Sequence, residues 1–218
     1  MNDFDLSLYL VTDRSLTGGR ELEYIVGEAV RGGVTMVQLR EKQCSSREFY
    51  QLAVRLKKCL SPWRVPLIIN DRLDIALACD ADGLHLGQSD LSCGIARKIL
   101  GKDKIIGLSV ENIHQVTEAN REEVDYIGIS PVFSTPTKSD TAPELGLEGV
   151  REIAFMTRRP AVAIGGINIR NAQSVIAAGA DGISVVSAIM SAPDPRLAAS
   201  ELIQVVNQSR KQNNNRVV

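Results

Sequence analysis

Short apolar runs alternate along this chain with longer stretches in which apolar residues recur every three or four positions. The runs are Leu8–Val11, Met36–Leu39, Leu67–Ile69, Gly83–Gly87, Ile105–Leu108, Tyr126–Ile129, Ala161–Ile164 and Ile183–Val186. Each is apolar on both faces, with little of the in-out alternation of a half-exposed strand. That pattern predicts strands buried on both sides, and therefore parallel ones. The stretches between them predict helices. From Glu21 to Arg31, Leu22, Ile25, Val26, Ala29 and Val30 fall on one face. Ser45 with Glu48 three residues later has the spacing of a capping box, and Phe49, Leu52, Ala53 and Leu56 follow on the inner face. Asn171–Ala178 and Leu197–Val206 repeat the pattern.

Eight strand–helix units predict a single (β/α)₈ (TIM) barrel over residues 1–207, with the polar, asparagine-rich residues 208–218 as a frayed tail. An open, doubly wound sheet is the competing α/β arrangement. It usually opens its first helix with a glycine fingerprint, whereas here the first run leads into Thr12-Asp13-Arg14.

Composition narrows the function. The chain has 218 residues, 44% of them hydrophobic and 23% charged, which suits one globular domain of this type. Its net charge is −1, so the basic excess expected of a nucleic-acid binder is missing. No apolar run reaches the length of a membrane span, and Met1–Asp5 does not resemble a secretory signal. A cytoplasmic location is expected. Cys44, Cys59, Cys79 and Cys93 form no CxxC pair, and reduced thiols are expected. Neither a monomer nor a homo-oligomer is excluded.

In a barrel of this kind, chemistry gathers where the strands end. After the second run, Gln38, Arg40 and Lys42 alternate onto one face. Facing the mouth, they form a cationic fork suited to a diphosphate; facing outward, they are a solvated charge cluster. Asp71 follows the third run and Asp90 the fourth. Two carboxylates on neighbouring strand ends suit Mg²⁺, which takes one or two carboxylates together with substrate phosphates. The competing assignment for each is a helix N-cap. The long Ser134–Leu145 loop carries Thr135, Thr137 and Lys138, with hydroxyls and a cation to offer an anion. Gly165-Gly166 follows the seventh run and Ser187 the eighth, where many barrels hold a phosphate on backbone N–H groups. A simple tight turn is the alternative for the glycines. His85 lies within an apolar run and His114 at a helix start; neither is assigned a catalytic role.

Six segments together resemble the thiamine-phosphate synthase family. They are Tyr9–Asp13, Val37–Lys42, Ile69–Arg72, Gly83–Asp90, Pro131–Lys138 and Ala163–Ile167, in the family's order. The resemblance implies condensation of a hydroxymethylpyrimidine diphosphate with a hydroxyethylthiazole phosphate, giving thiamine phosphate and pyrophosphate. It implies that Gln38, Leu39, Arg40, Glu41, Lys42, Asn70, Ser109 and Lys138 hold the pyrimidine diphosphate. Of these, Arg40, Lys42, Ser109 and Lys138 would act in catalysis. Asp71 and Asp90 would bind Mg²⁺, and Thr135, Pro136, Thr137, Gly165, Gly166, Val186 and Ser187 would hold the thiazole phosphate. The partners implied are two small phosphorylated heterocycles, with no nucleic acid and no membrane. One departure is Ser134, where the family often has proline.

Two rivals share the fold. A thiazole tautomerase should lack part of the set Arg40, Asp71, Asp90 and Lys138, all present here. A non-catalytic thiamine-phosphate sensor should lose the metal site or the fork and tend to carry a partner domain.

Overall fold

The computed structural model describes residues 4–134 and 143–214. Eight parallel strands close into a barrel in sequence order. They are β1 Leu8–Val11, β2 Met36–Leu39, β3 Leu67–Asn70, β4 Gly83–Leu86, β5 Ile105–Val110, β6 Tyr126–Ile129, β7 Ala161–Ile164 and β8 Gly182–Val185. Ser109, read at the end of the fifth strand, lies within β5. The helices are α1 Leu22–Arg31, α2 Ser46–Leu60, α3 Leu73–Ala78, α4 Cys93–Leu100, α5 Ile113–Ala119, α6 Gly146–Met156, α7 Ala172–Ala177, α8 Ser187–Met190 and α9 Pro195–Asn214. The predicted barrel and its order are therefore observed. At α2, Ser45 Oγ accepts from the Glu48 N–H at 3.2 Å. The Glu48 side chain pairs with Arg14 instead of returning to Ser45.

The strand pleat divides the core in two. Outward residues such as Leu8, Leu10, Val37, Leu39, Leu67 and Ile69 pack beneath the helices in one continuous layer. Inward residues Tyr9, Met36, Ile68, Ile105, Tyr126 and Val162 pack with Leu6 inside the barrel, and Phe4 lies against them. The inward set changes character along the barrel. Its lower part is apolar, and its upper part carries Gln38, Asn70, His85 and Ser184, all at least nine-tenths buried. Burying polar groups is costly unless they find partners, so their concentration at one end marks the mouth.

The tail differs from expectation. The α9 helix runs on through Asn214, so residues 208–214 are not frayed. Ser209 is buried, Arg210 donates to Ser7 Oγ, and the Asn213 amide donates to the Ile176 carbonyl at 3.1 Å. Each of these contacts lies on a distant part of the chain, which is why local composition did not reveal it. Among the described residues the cysteines are free thiols, and no helix is long and apolar enough to cross a membrane.

Candidate active site

The barrel mouth opens into a cavity of about 470 Å³, within the usual size for small-molecule sites. Gln38, Arg40, Lys42, Asn70, Asp71, Asp90, Ser109, Gly165, Gly166, Val186 and Ser187 all line it. Residues expected from separate strand ends thus share one site. Leu39 and Glu41 are not brought to it. The pleat turns Leu39 outward, fully buried beneath the helices. Glu41 accepts two hydrogen bonds from Arg14 Nε, at 2.8 and 2.9 Å, and one from Nη2 at 2.7 Å. Thr135, Pro136, Thr137 and Lys138 lie outside the described residues. Their described flanks are held close to β7: Val132 N–H donates to the Ile164 carbonyl at 2.9 Å and Phe133 N–H to that of Gly165 at 3.1 Å.

On the β2–β4 side, charges are concentrated. Lys42 Nζ donates to Asp71 Oδ2 at 2.6 Å. Arg40 lines the cavity and makes no ion pair among the described residues. Neither aspartate caps a helix. The N-cap of α3 is Arg72 and that of α4 is Ser92, each without a side-chain capping bond. Asp71 instead sits at φ +61°, with the Arg72 N–H closing onto the Asn70 carbonyl at 2.7 Å in a γ-turn. A left-handed non-glycine residue costs about 1–2 kcal/mol, and such strain concentrates at functional positions. Asp90 Oδ2 accepts from the Gly87 N–H at 2.7 Å. Burial lifts the Asp90 carboxyl above its ordinary value, the Gly87 N–H opposes this, and the neighbouring Asp71 carboxylate lifts it further. A carboxyl lifted by a neighbouring carboxylate lies where negative charge is concentrated, a setting that favours a divalent cation for the same electrostatic reason.

Among the described residues, the β7–β8 side of the cavity lining carries no cation. Gly165 and Gly166 have φ +112° and +63°. A Cβ on Gly166 would lie 2.8 Å from the Ser134 carbonyl oxygen and 2.9 Å from Phe133 Cβ. Glycine is therefore required here both by backbone angle and by space. The Gly166 carbonyl accepts from the Asn171 amide at 3.0 Å and the Asn168 amide at 3.2 Å. That turn is clamped from behind. Arg20 fixes the end of α8 in a similar way, donating to the Met190 carbonyl at 2.7 Å and the Ala192 carbonyl at 2.6 Å. The result is a neutral, preorganised lip of backbone N–H groups and the Ser187 hydroxyl, suited to a phosphate.

The family profile described as thiamine monophosphate synthase matches residues 8–189. The chain belongs to the thiamine monophosphate synthase family. A thiamine-phosphate synthase of Albidiferax ferrireducens is 52% identical over 202 residues, covering 93% of this chain and 92% of that protein. That of Syntrophomonas wolfei is 55% identical over 205 residues, covering 94% and 98%. A solved structure, thiamine phosphate pyrophosphorylase from Pyrococcus furiosus, superposes with TM-score 0.86 at 40% identity, covering 94% of this chain and 96% of that one. A crystal structure of 3-hexulose-6-phosphate synthase shares the fold alone, with TM-score 0.67 at 16% identity.

Within this family member, some cavity residues escaped the sequence analysis. Gln88 donates to the Ser109 carbonyl at 2.6 Å. Ser184 Oγ is buried in the lining and has no hydrogen-bond partner among the described residues. Its place within the apolar eighth run was the available signal. Asn168 and Asn171 act through the Gly166 carbonyl, a role that no local pattern announces.

Proposed function

We infer that this barrel joins 4-amino-5-hydroxymethyl-2-methylpyrimidine diphosphate to 4-methyl-5-(2-hydroxyethyl)thiazole phosphate, releasing pyrophosphate and forming thiamine phosphate. The observation that carries this reading is one cavity with two chemically distinct sides. One side is cationic with paired carboxylates, and the other is a neutral backbone lip. A diphosphate carrying a metal suits the first, and a monophosphate suits the second.

The chemistry follows from that division. Arg40 and Lys42 face the diphosphate and stabilise the charge that grows on it as the carbon–oxygen bond breaks. The electron pair leaves with pyrophosphate. The thiazole, held by its phosphate at Gly165, Gly166 and Ser187, presents its ring nitrogen, whose lone pair forms the new carbon–nitrogen bond. That nitrogen carries no proton, so no general base is required. Asp71 and Asp90 would hold Mg²⁺, supported by the closeness of the two carboxylates, which lifts that of Asp90; bound there, it would supply Lewis-acid neutralisation of the departing pyrophosphate. Lys138 is assigned to the same diphosphate, and Thr135, Pro136 and Thr137 to the thiazole phosphate. A cytoplasmic setting fits this chemistry. The tautomerase and sensor readings leave the paired carboxylates and the fork without a use.

Pyrophosphate release is the direct test. It is expected only with both heterocycles and Mg²⁺ present, and EDTA should abolish it. Folded protein that binds thiamine phosphate but releases no pyrophosphate would overturn the reading in favour of a sensor.

A further inference from the structure

A line of hydrogen bonds crosses the barrel interior from β2 to β5. Gln38 Nε2 donates to Tyr9 Oη at 2.8 Å. Tyr9 Oη lies 2.9 Å from Tyr126 Oη, and Tyr126 Oη lies 2.8 Å from His85 Nδ1. His85 Nε2 lies 2.9 Å from Ser109 Oγ. Space is kept for this line. A Cβ on Gly107 would overlap the Tyr126 ring and crowd His85 Nδ1, and one on Gly128 would press on His85 Cε1 at 3.3 Å. Neither glycine has a positive φ, so clearance for the line accounts for both.

Such a line has a direction. Each phenol has one hydrogen to give, and a neutral imidazole has one N–H and one lone pair. Burial pushes both phenols above their ordinary value, so each keeps its hydrogen. With the Gln38 amide donating, the Tyr9 hydroxyl turns to Tyr126 and the Tyr126 hydroxyl to His85 Nδ1. The His85 proton must then sit on Nε2, donating to Ser109 Oγ. Two groups are left over at the ends: Gln38 Oε1 as an acceptor and the Ser109 hydroxyl hydrogen as a donor. Reversing any one link reverses both ends.

We propose that Tyr9, Tyr126 and His85 are positioning residues that fix Gln38 as acceptor and Ser109 as donor, and so select a 4-aminopyrimidine against its 4-oxo analogue. The proposal rests on the reading of the cavity as a pyrimidine diphosphate site. A 4-aminopyrimidine offers an amino donor beside a ring-nitrogen acceptor, matching both ends. The 4-oxo form inverts the pattern, setting acceptor against acceptor and donor against donor. Sites that bury mispaired polar groups discriminate strongly, here by about 100-fold or more.

Two measurements test this. The chain has only two histidines, and the His114 side chain is 82% exposed. In ¹⁵N spectra of the wild-type protein, His85 is expected as the neutral Nε2–H tautomer, with Nδ1 unprotonated and accepting from Tyr126. An Nδ1–H tautomer or an imidazolium would overturn the proposal without reference to turnover. In Tyr126→Phe, discrimination against the 4-oxo analogue of the diphosphate should fall about 10-fold or more, while the KM for thiazole phosphate stays within about two-fold. Unchanged discrimination, or equal losses for both substrates, would also overturn it. Should that variant not fold, the tautomer measurement decides alone. Failure of the functional reading is separately visible, as no pyrophosphate release by the wild type with both natural substrates.

Discussion

Lys42 Nζ and Asp71 Oδ2 lie 2.6 Å apart at the barrel mouth, so a cation assigned to the diphosphate and a carboxylate assigned to its metal are paired with each other. The Lys42 side chain is 52% exposed. An ion pair this open contributes about 0–1 kcal/mol and can be exchanged cheaply for stronger partners. A metal–diphosphate arriving here would supply both at once, phosphate for Lys42 and cation for Asp71. Lys42→Met is therefore expected to slow pyrophosphate release about 100-fold, while its Tm moves by no more than about 4 °C. Steady-state rates and a thermal melt on the same preparation check the pair of outcomes. A large loss of Tm would mean that the pair holds the fold rather than serving the reaction.

The Gly166 turn should be intolerant of even one methyl group. In Gly166→Ala, the left-handed backbone costs about 1–2 kcal/mol, a fall in Tm of about 2–8 °C. The Cβ would also push against the Ser134 carbonyl and displace the backbone lip. The KM for thiazole phosphate should rise about 10-fold or more, with that for the pyrimidine diphosphate little changed. A matched rise in both would show that the turn serves the cavity as a whole.

Lys138→Ala tests the proposed division between diphosphate and thiazole phosphate in a second way. Assigned to the diphosphate, Lys138 should matter to turnover far more than to thiazole phosphate affinity. A fall in kcat of about 100-fold, with thiazole phosphate Kd within about three-fold, is expected. Calorimetric titration alongside single-turnover kinetics measures both. Equal losses would place Lys138 against the other phosphate.

Away from the site, Asp80 accepts from Lys104 at 2.6 Å and from Lys57 at 2.8 Å. These partners hold its carboxyl at about 2, against an ordinary value of 3.8. The folded value is depressed, so the contribution to stability is complete above about pH 4 and is lost as pH falls towards 2. Asp80→Asn should melt below the wild type at pH 6 and with it at pH 2. The gap should be small and shrink further in high salt, because the carboxylate is exposed. A gap that survives high salt would point to a packing role instead.

The sequence was informative where the physics is local. Apolar runs with period-two side chains and amphipathic stretches with period 3.6 are properties of neighbouring residues, and they led to the barrel and its order. Arg40, Lys42, Asp71 and Asp90 stood out because charge at the end of an apolar run is costly without a purpose. Leu39 and Glu41 show the limit. Both belong to the resemblance-bearing segment, yet the pleat turns Leu39 beneath the helices, and Arg14, far back in the chain, draws Glu41 aside.

By itself, the sequence determined the alternation of strands and helices, their parallel closure, and hence the end of the barrel where polar residues collect. Tertiary structure alone decided which inward positions meet. Gln38, Tyr9, Tyr126, His85 and Ser109 come from five strands, and no local period encodes their contact. The register of a closed barrel lines up inward positions from strand to strand, as Asn70 with His85 and Gly107 with Tyr126. Direction along a hydrogen-bond line, shared cavities and neighbouring carboxylates are properties of that closure. They exist only once loops have brought distant residues within a few ångströms, the range over which donors, acceptors and charges act.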